Sequence, residues 1–136
     1  MTIDSGAAES VIPVNAIPEY IAVIHDDNIY YQTASGEIMV NEGEQRLPVI
    51  TEYGDEIKSM TFQKCDVTKP LASVKKILEK GHAVVFAPSK RGGSYIMNLE
   101  SQEVEDLVEE DGNYYLEVWI PPPEMMKEFE GFAGHP

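Results

Sequence analysis

Near its beginning the chain reads Ile3-Asp4-Ser5-Gly6-Ala7-Ala8, a turn sequence set between apolar residues. Asp, Ser and Gly are common turn residues, so the tripeptide alone predicts no more than a plain turn. The context adds information, because Ile3 precedes the turn and Val11-Ile12 follow shortly after it. A turn flanked on both sides by buried-looking segments is not typical of a solvent loop. We therefore consider it a candidate functional loop.

The chemistry that such a loop can carry is the activation of water by two carboxylates. One carboxylate must be ionised to take a proton from the water, and the other must be protonated to polarise the substrate carbonyl. Two carboxylates about 3 Å apart cannot both ionise, so they share one proton. Asp4 would supply the carboxylate, Ser5 would hold the loop, and Gly6 would let backbone and water approach closely.

Only one such loop exists in the 136 residues, because no second Asp-Ser-Gly or Asp-Thr-Gly occurs. A single aspartate loop must find its partner in another chain, and a two-fold axis through the site is the simplest solution. The sequence therefore predicts a homodimer.

Residues up to 69 have the pattern of short β-strands. Pro13 and Pro18 exclude a long helix near the start. A hairpin is predicted over 30–40, with its turn at Thr33-Ala34-Ser35-Gly36, and two strands with period-two alternation are predicted over 46–52 and 56–65.

The pattern changes at Pro70, where a helix of two or three turns is predicted. Apolar residues recur there at helical spacing, and Gly81 is a natural end: Leu71, Val74, Ile77 and Leu78. Further strands are predicted over 82–86, 94–99 and 114–120, with another possible near 104–108. Three prolines at 121–123 end the folded part, and 124–136 have the character of a tail, with one short helical turn at 124–129.

Composition and charge limit the class of partner. Hydrophobic residues make up 43% and charged residues 25%, as in an ordinary globular domain, and no apolar run could span a bilayer. The formal charge of −14 argues against nucleic acid and anionic membranes. Without a signal peptide, and with Cys65 as the only cysteine, we expect a cytoplasmic (intracellular) protein.

Other chemistries are less well supported by the residues. Cys65 is expected to be a buried strand thiol, and His25 and His82 to be ordinary surface or strand histidines. The acidic segment 100–111 favours a solvated face over a calcium site, because the EF-hand spacing is absent. The basic turn 90–93 lacks the Walker pattern for phosphate. No metal or organic cofactor is predicted.

Taken in order, these segments resemble the protease domain of copia-type retrotransposon polyproteins, a branch of the retropepsin-like aspartic proteases. The similarity covers about residues 3–86 and extends more loosely to Trp119. The catalytic loop, the hairpin turn, the segment 66–74 before the helix and the closing strand 80–86 match in that order. Serine stands at position 73, where the family's usual apolar-apolar-Gly signature has glycine.

The resemblance implies a role for each matching residue. Asp4 would be the catalytic aspartate, with Ser5, Gly6 and Ala7 supporting its loop, and Ser5 bracing the two loops across the dimer axis. Ala8 and Glu9 would line the substrate groove. The flap tip that closes over the substrate would be formed by Ala34, Ser35 and Gly36.

Together the residues and the resemblance predict an all-β fold with one short α-helix, a retropepsin-like acid protease half-barrel. The predicted divisions are a protease domain over 1–90, a C-terminal β extension over 91–120 and a flexible tail over 121–136. The predicted activity is aspartic endopeptidase processing of a retrotransposon polyprotein. The alternative is a protease-like interaction domain that does not cleave, or an inactive monomer.

Overall fold

The structure, a computed structural model, describes residues 1–32, 35–51 and 57–128, except for the side chains of 25–29 and 127–128. In the first half the strands are β1 (Thr2–Asp4), β2 (Val11–Pro13), β3 (Ala22–Gln32), β4 (Ile38–Thr51), β5 (Lys58–Cys65) and β6 (Leu71–Ser73). After the helix α1 (Val74–Glu79) come β7 (His82–Val85), β8 (Tyr95–Asn98), β9 (Val104–Asp106), β10 (Val108–Glu110), β11 (Asn113–Tyr115) and β12 (Val118–Trp119). Two 3₁₀ helices span Ser89–Arg91 and Pro123–Glu128.

The strands form a large mixed sheet and a small antiparallel one. The large sheet runs β10-β11-β1-β6-β2-β5-β4-β12, with β3 also paired to β4, and the small sheet runs β7-β8-β9. The prediction of an all-β fold with one short α-helix is confirmed for the described residues. None of the helices described there is long and apolar enough to cross a membrane.

The order of strands around β6 is what positions the Asp4 loop. β6 lies parallel to β1 on one side and antiparallel to β2 on the other. The chain therefore leaves β1, passes the end of β6 and returns in β2 on the far side. A loop that must make this passage is confined by the strand between its two ends.

The helix predicted from residue 71 begins later than expected. Leu71, Ala72 and Ser73 are a strand, and α1 has only six residues, from Val74 to Glu79. The apolar spacing was misleading because Ala72 is buried between two strands, where pairing on both sides outweighs a local helical pattern. Gly81, with φ of +85°, follows the helix as predicted.

The hairpin predicted over 30–40 is present and is longer than expected. Near the turn, Tyr30 pairs with Val40 and Gln32 with Ile38. Further from the turn, a second stretch of pairing begins with Ile24 opposite Gly43. An irregularity interrupts the ladder between these two stretches, and β4 also shifts register against β5 between Asn41 and Gly43. Thr33 and Ala34, and the strand ends predicted at 52 and 56, lie outside the described residues.

Two clusters of buried side chains form the core. One contains Ile12, Leu47 and Phe62 from the central strands. The other joins residues near the candidate loop to residues of the C-terminal extension: Ile3, Ala72, Ile96, Leu107 and Leu116. The extension thus packs against the first part of the chain, whereas the domain division at residue 90 stays a prediction.

Strand pairing gives the same picture of the C-terminal extension. β11 pairs antiparallel with β1, and β12 pairs with β4, so the strand predicted over 114–120 is in fact two. The strand predicted near 104–108 is likewise split, because buried Leu107 separates β9 from β10. Within the segment predicted as a tail, Pro121 and Met126 are buried.

Candidate active site

Asp4 is the last residue of β1 and lies in register with Ser73 of β6. Its side chain is half-buried, and Oδ1 accepts a hydrogen bond of 2.8 Å from the backbone N–H of Gly6. Aspartate commonly closes a turn in this way, by accepting from the backbone two residues on. One carboxylate oxygen therefore has a fixed position at the end of a paired strand.

Ser73 connects the Asp4 loop to the helix. Its side chain is fully buried, and its Oγ donates to the carbonyl oxygen of Ala7 at 2.6 Å. The same oxygen accepts from the N–H of Lys76 at 3.2 Å, which caps the N-terminus of α1. A single hydroxyl thus satisfies one backbone group of the loop and one of the helix.

Ser10 holds the far end of the loop. Its Oγ accepts from the N–H of Ser73 at 2.9 Å, and its carbonyl oxygen accepts from the N–H of Gln63 at 2.8 Å. Ser10 is itself buried. The loop is therefore held to β6 in its middle and to both β6 and β5 at its end, which gives Asp4 a preorganised setting.

Gly6 lies directly beside the Asp4 carboxylate. Its φ lies outside the left-handed region, so the backbone conformation does not require glycine there. A Cβ at this position would lie 3.4 Å from Oδ1 of Asp4. Because Ser5 and Gly6 are both exposed, the absent side chain keeps the space beside the carboxylate accessible from solvent.

The two residues predicted to line the groove differ in their surroundings. Ala8 is exposed, whereas Glu9 forms an ion pair with Lys76 of α1, with Oε1 3.3 Å from Nζ. Side-chain hydrogen bonds raise the pKa of Lys76, and the bond to Glu9 has a larger effect than the bond to Glu79. A groove lined by Ala8 and Glu9 stays a prediction.

At the predicted flap, Ser35 and Gly36 are exposed, and Gly36 has a φ of +89°, as a tight hairpin turn requires. Ala34 lies outside the described residues. Both strands of the hairpin carry exposed large apolar side chains, including Ile24 (77% exposed) and Ile38 (70%): Val23, Ile24, Tyr30, Ile38 and Val40.

A polar network around Asn41 joins the two strands of this hairpin to β5. Nδ2 of buried Asn41 donates to the hydroxyl of Tyr31 at 2.9 Å and to Oε1 of Gln63 at 2.7 Å. Burial raises the pKa of Tyr31, and the charge of Glu9 adds to this effect.

A pocket of about 360 Å³ opens beside Asp4. Residues from β1, from the segment before β6, from the end of β7 and from the β10–β11 turn line it: Thr2, Ile3, Asp4, Ser5, Lys69, Leu71, Phe86, Gly112, Asn113 and Tyr114. Asp4 is the only acid among these lining residues.

Other reactive side chains do not join this site. Cys65 is fully buried in β5, and burial raises its pKa to about 11, so the thiol stays protonated near neutral pH. Burial lowers the pKa of His82. Among the described residues, no group of three His, Cys, Asp or Glu side chains is placed to hold a metal ion.

Sequence reasoning missed Ser73 and Ser10 as parts of the site. Ser73 had a recognisable signal, because a serine directly before a helical segment is a favoured N-cap. That signal was obscured when Leu71 was assigned to the helix. Ser10 had no recognisable signal in the sequence, since its hydrogen-bond partners are 53 and 63 positions away along the chain.

Comparison with protein-family models, with curated proteins and with solved structures gave no match to this chain.

Proposed function

We propose that this chain is an aspartic endopeptidase of the retropepsin-like type, which processes a retrotransposon polyprotein as a homodimer. The observation that carries the proposal is the setting of Asp4. Its carboxylate ends a paired strand, is fixed by the Gly6 N–H, and stands on a loop tied down by Ser73 and Ser10. Two carboxylates can share a proton only if both are held rigidly, and this loop meets that need.

The second carboxylate would come from a second copy of the chain. Among the residues that the structure describes, Asp4 is the only acid that lines its pocket, and the sequence contains no other loop of this type. Two-fold symmetry would set the two Asp4 loops face to face, with the exposed Ser5 and Gly6 at the contact. One Asp4 would then take the proton from the water while the other polarises the scissile carbonyl.

The hairpin of β3 and β4 supports a polypeptide as the substrate. It presents exposed apolar side chains on a two-stranded ribbon, with Gly36 at its tip. Apolar area of this kind is stabilised when another chain covers it. Closure over an extended peptide would bury part of it and exclude water from the reacting carbonyl.

One observation favours the second candidate, a protease-like interaction domain that does not cleave. The outer edge of β1 is already occupied by β11 of the same chain. A second copy therefore cannot pair with β1 directly and must approach through the loop itself or through the hairpin. A chain that fails to do so stays monomeric and leaves each Asp4 without its partner.

The test is cleavage of a mixed peptide library at about pH 5, the acid side where a shared-proton pair works. Wild type should cut, and Asp4→Asn should not, because the amide cannot take a proton from water. The asparagine oxygen can still accept from the Gly6 N–H, so the loop should keep its shape. Asp66→Asn, at an exposed position after β5, is the matched control and should cut like wild type.

Cleavage that survives Asp4→Asn would assign the activity to another protein in the preparation. Absence of cleavage by wild type at concentrations where sedimentation shows a dimer would leave the interaction domain as the better account.

A further inference from the structure

We propose that the outer face of the small sheet is a self-association surface, which binds the same face of a second copy of the chain. The proposal goes beyond the proposed function, because this surface is separate from a contact between two Asp4 loops. Among the described residues that line the pocket beside Asp4, none belongs to this face. We call its five apolar side chains the outer patch: Ala83, Val85, Tyr95, Met97 and Val104.

Strand register shows which side of the small sheet points inward. Val84 lies opposite Ile96, and Ile96 lies opposite Glu105. Buried Ile96 belongs to a core cluster against which Val84 packs. Glu105 accepts a hydrogen bond from the hydroxyl of buried Thr51 in β4. These contacts place Val84, Ile96 and Glu105 on the side of the small sheet that faces the rest of the molecule.

The outer patch consists of residues that alternate with these, because successive side chains of a strand point to opposite faces. Ala83 lies opposite Met97, and Val104 lies opposite Met97 on the other side. Val85 lies opposite Tyr95. None of the five belongs to either core cluster of the described residues, and Val104 is 43% exposed. The patch is therefore one continuous apolar surface on the open side of the sheet.

Exposed charged residues stand at the four corners of this patch. At the end where β7 and β9 begin, Lys80 comes just before β7, and Glu103 comes just before β9. The carbonyl oxygen of Glu103 accepts at 2.9 Å from the N–H of the last residue of β8, which fixes that corner. At the other end, Lys90 and Arg91 lie in the connection from β7 to β8, and Asp106 is the last residue of β9. The cations thus lie on the β7 side and the acids on the β9 side.

The corner charges are available to a partner. Within the part of the chain that the structure describes, Lys76 forms ion pairs with Glu9 and Glu79, and no ion pair involves a corner residue. Three of the ten Lys and Arg residues lie at these corners in a chain whose formal charge is −14. An acidic edge of a second copy would therefore meet one of the few concentrations of positive charge on this molecule.

Two-fold symmetry converts this arrangement into charge complementarity. Two sheets that pack face to face keep their strands roughly aligned, so the two-fold axis runs either along the strands or across them. An axis along the strands sets β7 of each copy over β9 of the other. Lys80 then faces Glu103 of the other copy, and Asp106 faces Lys90 and Arg91. An axis across the strands would set cations over cations and acids over acids, so the charges select the first arrangement.

The contact should be weak, because five side chains make a small patch and the net charge of each copy opposes association. Interfaces that bury less than about 1,200 Å² in total are typical of weak or transient complexes. We therefore expect a dissociation constant in the micromolar range or above, and weaker binding in high salt.

Met97 provides a readout at the patch itself, whereas sedimentation would also report a contact between Asp4 loops. In protein labelled with carbon-13 at the methionine methyl groups, Met97→Leu assigns the Met97 signal. In wild type at neutral pH and low salt, this signal should shift with protein concentration, and the shift gives the dissociation constant.

Charge reversal then tests the predicted register. Lys80→Glu and Glu103→Lys each bring like charges together at two symmetric contacts, so each variant alone should associate roughly tenfold more weakly than wild type. Labelled Lys80→Glu mixed with unlabelled Glu103→Lys should regain nearly wild-type affinity, because both contacts of the mixed pair then join opposite charges. An effect of net charge alone would make Glu103→Lys associate more tightly.

Glu19→Lys is the matched control, because it makes the same charge change at an exposed position between β2 and β3. It should keep nearly wild-type affinity, and thermal unfolding verifies the fold of each variant. A Met97 signal in wild type that is independent of concentration, single variants that associate like wild type, or a mixture no tighter than its components would each overturn the proposal. Cleavage that depends on Asp4 is measured separately, so failure of this surface and failure of the proposed protease give different results.

Discussion

The loop that carries Asp4 and the hairpin of β3 and β4 belong to the same sheet but are built in opposite ways. The loop is short and is held by buried serine hydroxyls to β6, β5 and the start of α1. The hairpin is long and carries exposed apolar side chains on both strands, such as Ile24 and Ile38. Its Asn41 donates hydrogen bonds to Tyr31 and to Gln63 of β5.

Under the proposed function, each region would have a separate task. A carboxylate that shares a proton must not move relative to its partner, and the hydrogen bonds of the loop would keep Asp4 in a fixed position for this. A surface that is to cover another chain must leave its apolar area uncovered until that chain arrives. The predictions below disturb each region in turn, beginning with the largest expected change in free energy.

The largest effect is expected for Ser73→Ala. It leaves the partly buried carbonyl of Ala7 without its donor and removes the cap of α1, so the free energy of unfolding should fall by about 1–3 kcal/mol. Urea denaturation monitored by circular dichroism measures this. Ser89→Ala, at an exposed position, is the matched control and should stay within about 0.5 kcal/mol of wild type. If the free energy of unfolding fell equally in both variants, the Ser73 hydroxyl would have no special role in holding the loop.

A similar or smaller loss of stability is expected for Gly43→Ala at the base of the hairpin. The new Cβ would lie 2.6 Å from the carbonyl oxygen of Val23, so β3 and β4 would have to separate. We expect a loss of about 1–3 kcal/mol in the free energy of unfolding.

Gly6→Ala is the matched control for Gly43→Ala, because its Cβ has ordinary contact distances and its backbone is not left-handed. Its stability should stay within about 0.5 kcal/mol of wild type. Equal losses in the two glycine variants would contradict the close approach of β3 to β4.

The same Gly6→Ala variant should lose activity while keeping its fold. The methyl group would lie 3.4 Å from Oδ1 of Asp4, in the space through which water and substrate reach the carboxylate. We expect kcat/KM to fall by roughly ten- to a hundred-fold, since a small misplacement at a reacting group has effects of this size. Wild-type kinetics in a folded Gly6→Ala would show that the open side of the carboxylate lies elsewhere.

The smallest effect concerns the charge that opposes dimerisation. Each chain carries −14 near neutral pH and has a calculated isoelectric point of about 4.4, so two copies repel each other less as the pH falls. Sedimentation equilibrium should give a several-fold tighter dimer at pH 5 than at pH 8 in low salt, with the difference reduced in high salt. Equal association at both pH values would remove the electrostatic part of the account.

Local pattern was sufficient for much of the fold. Turn residues correctly predicted the hairpin over 30–40, and the strand predicted over 82–86 is observed as β7. The error at Leu71 arose because its partners, Thr2 and Val11, are about sixty residues away. Local spacing carries no information on such pairing.

The site was predictable only in part. Asp4 stands out through its turn and its apolar flanks, but the hydroxyl that braces its loop comes from Ser73, 69 positions further along the chain. The pocket lining at Gly112 and Asn113 could not be predicted from the sequence either, because it depends on the pairing of β11 with β1. In both cases a long-range contact, rather than a motif, completes the site.

The central claim, that two Asp4 carboxylates from two chains form one site, is tested most directly by mixing wild type with Asp4→Asn. At constant total chain concentration above the dimer dissociation constant, activity should follow the square of the wild-type fraction. An equal mixture should therefore retain about one quarter of the activity, because mixed dimers hold only one carboxylate. Retention of about one half would mean that each chain works alone, and would contradict the shared site.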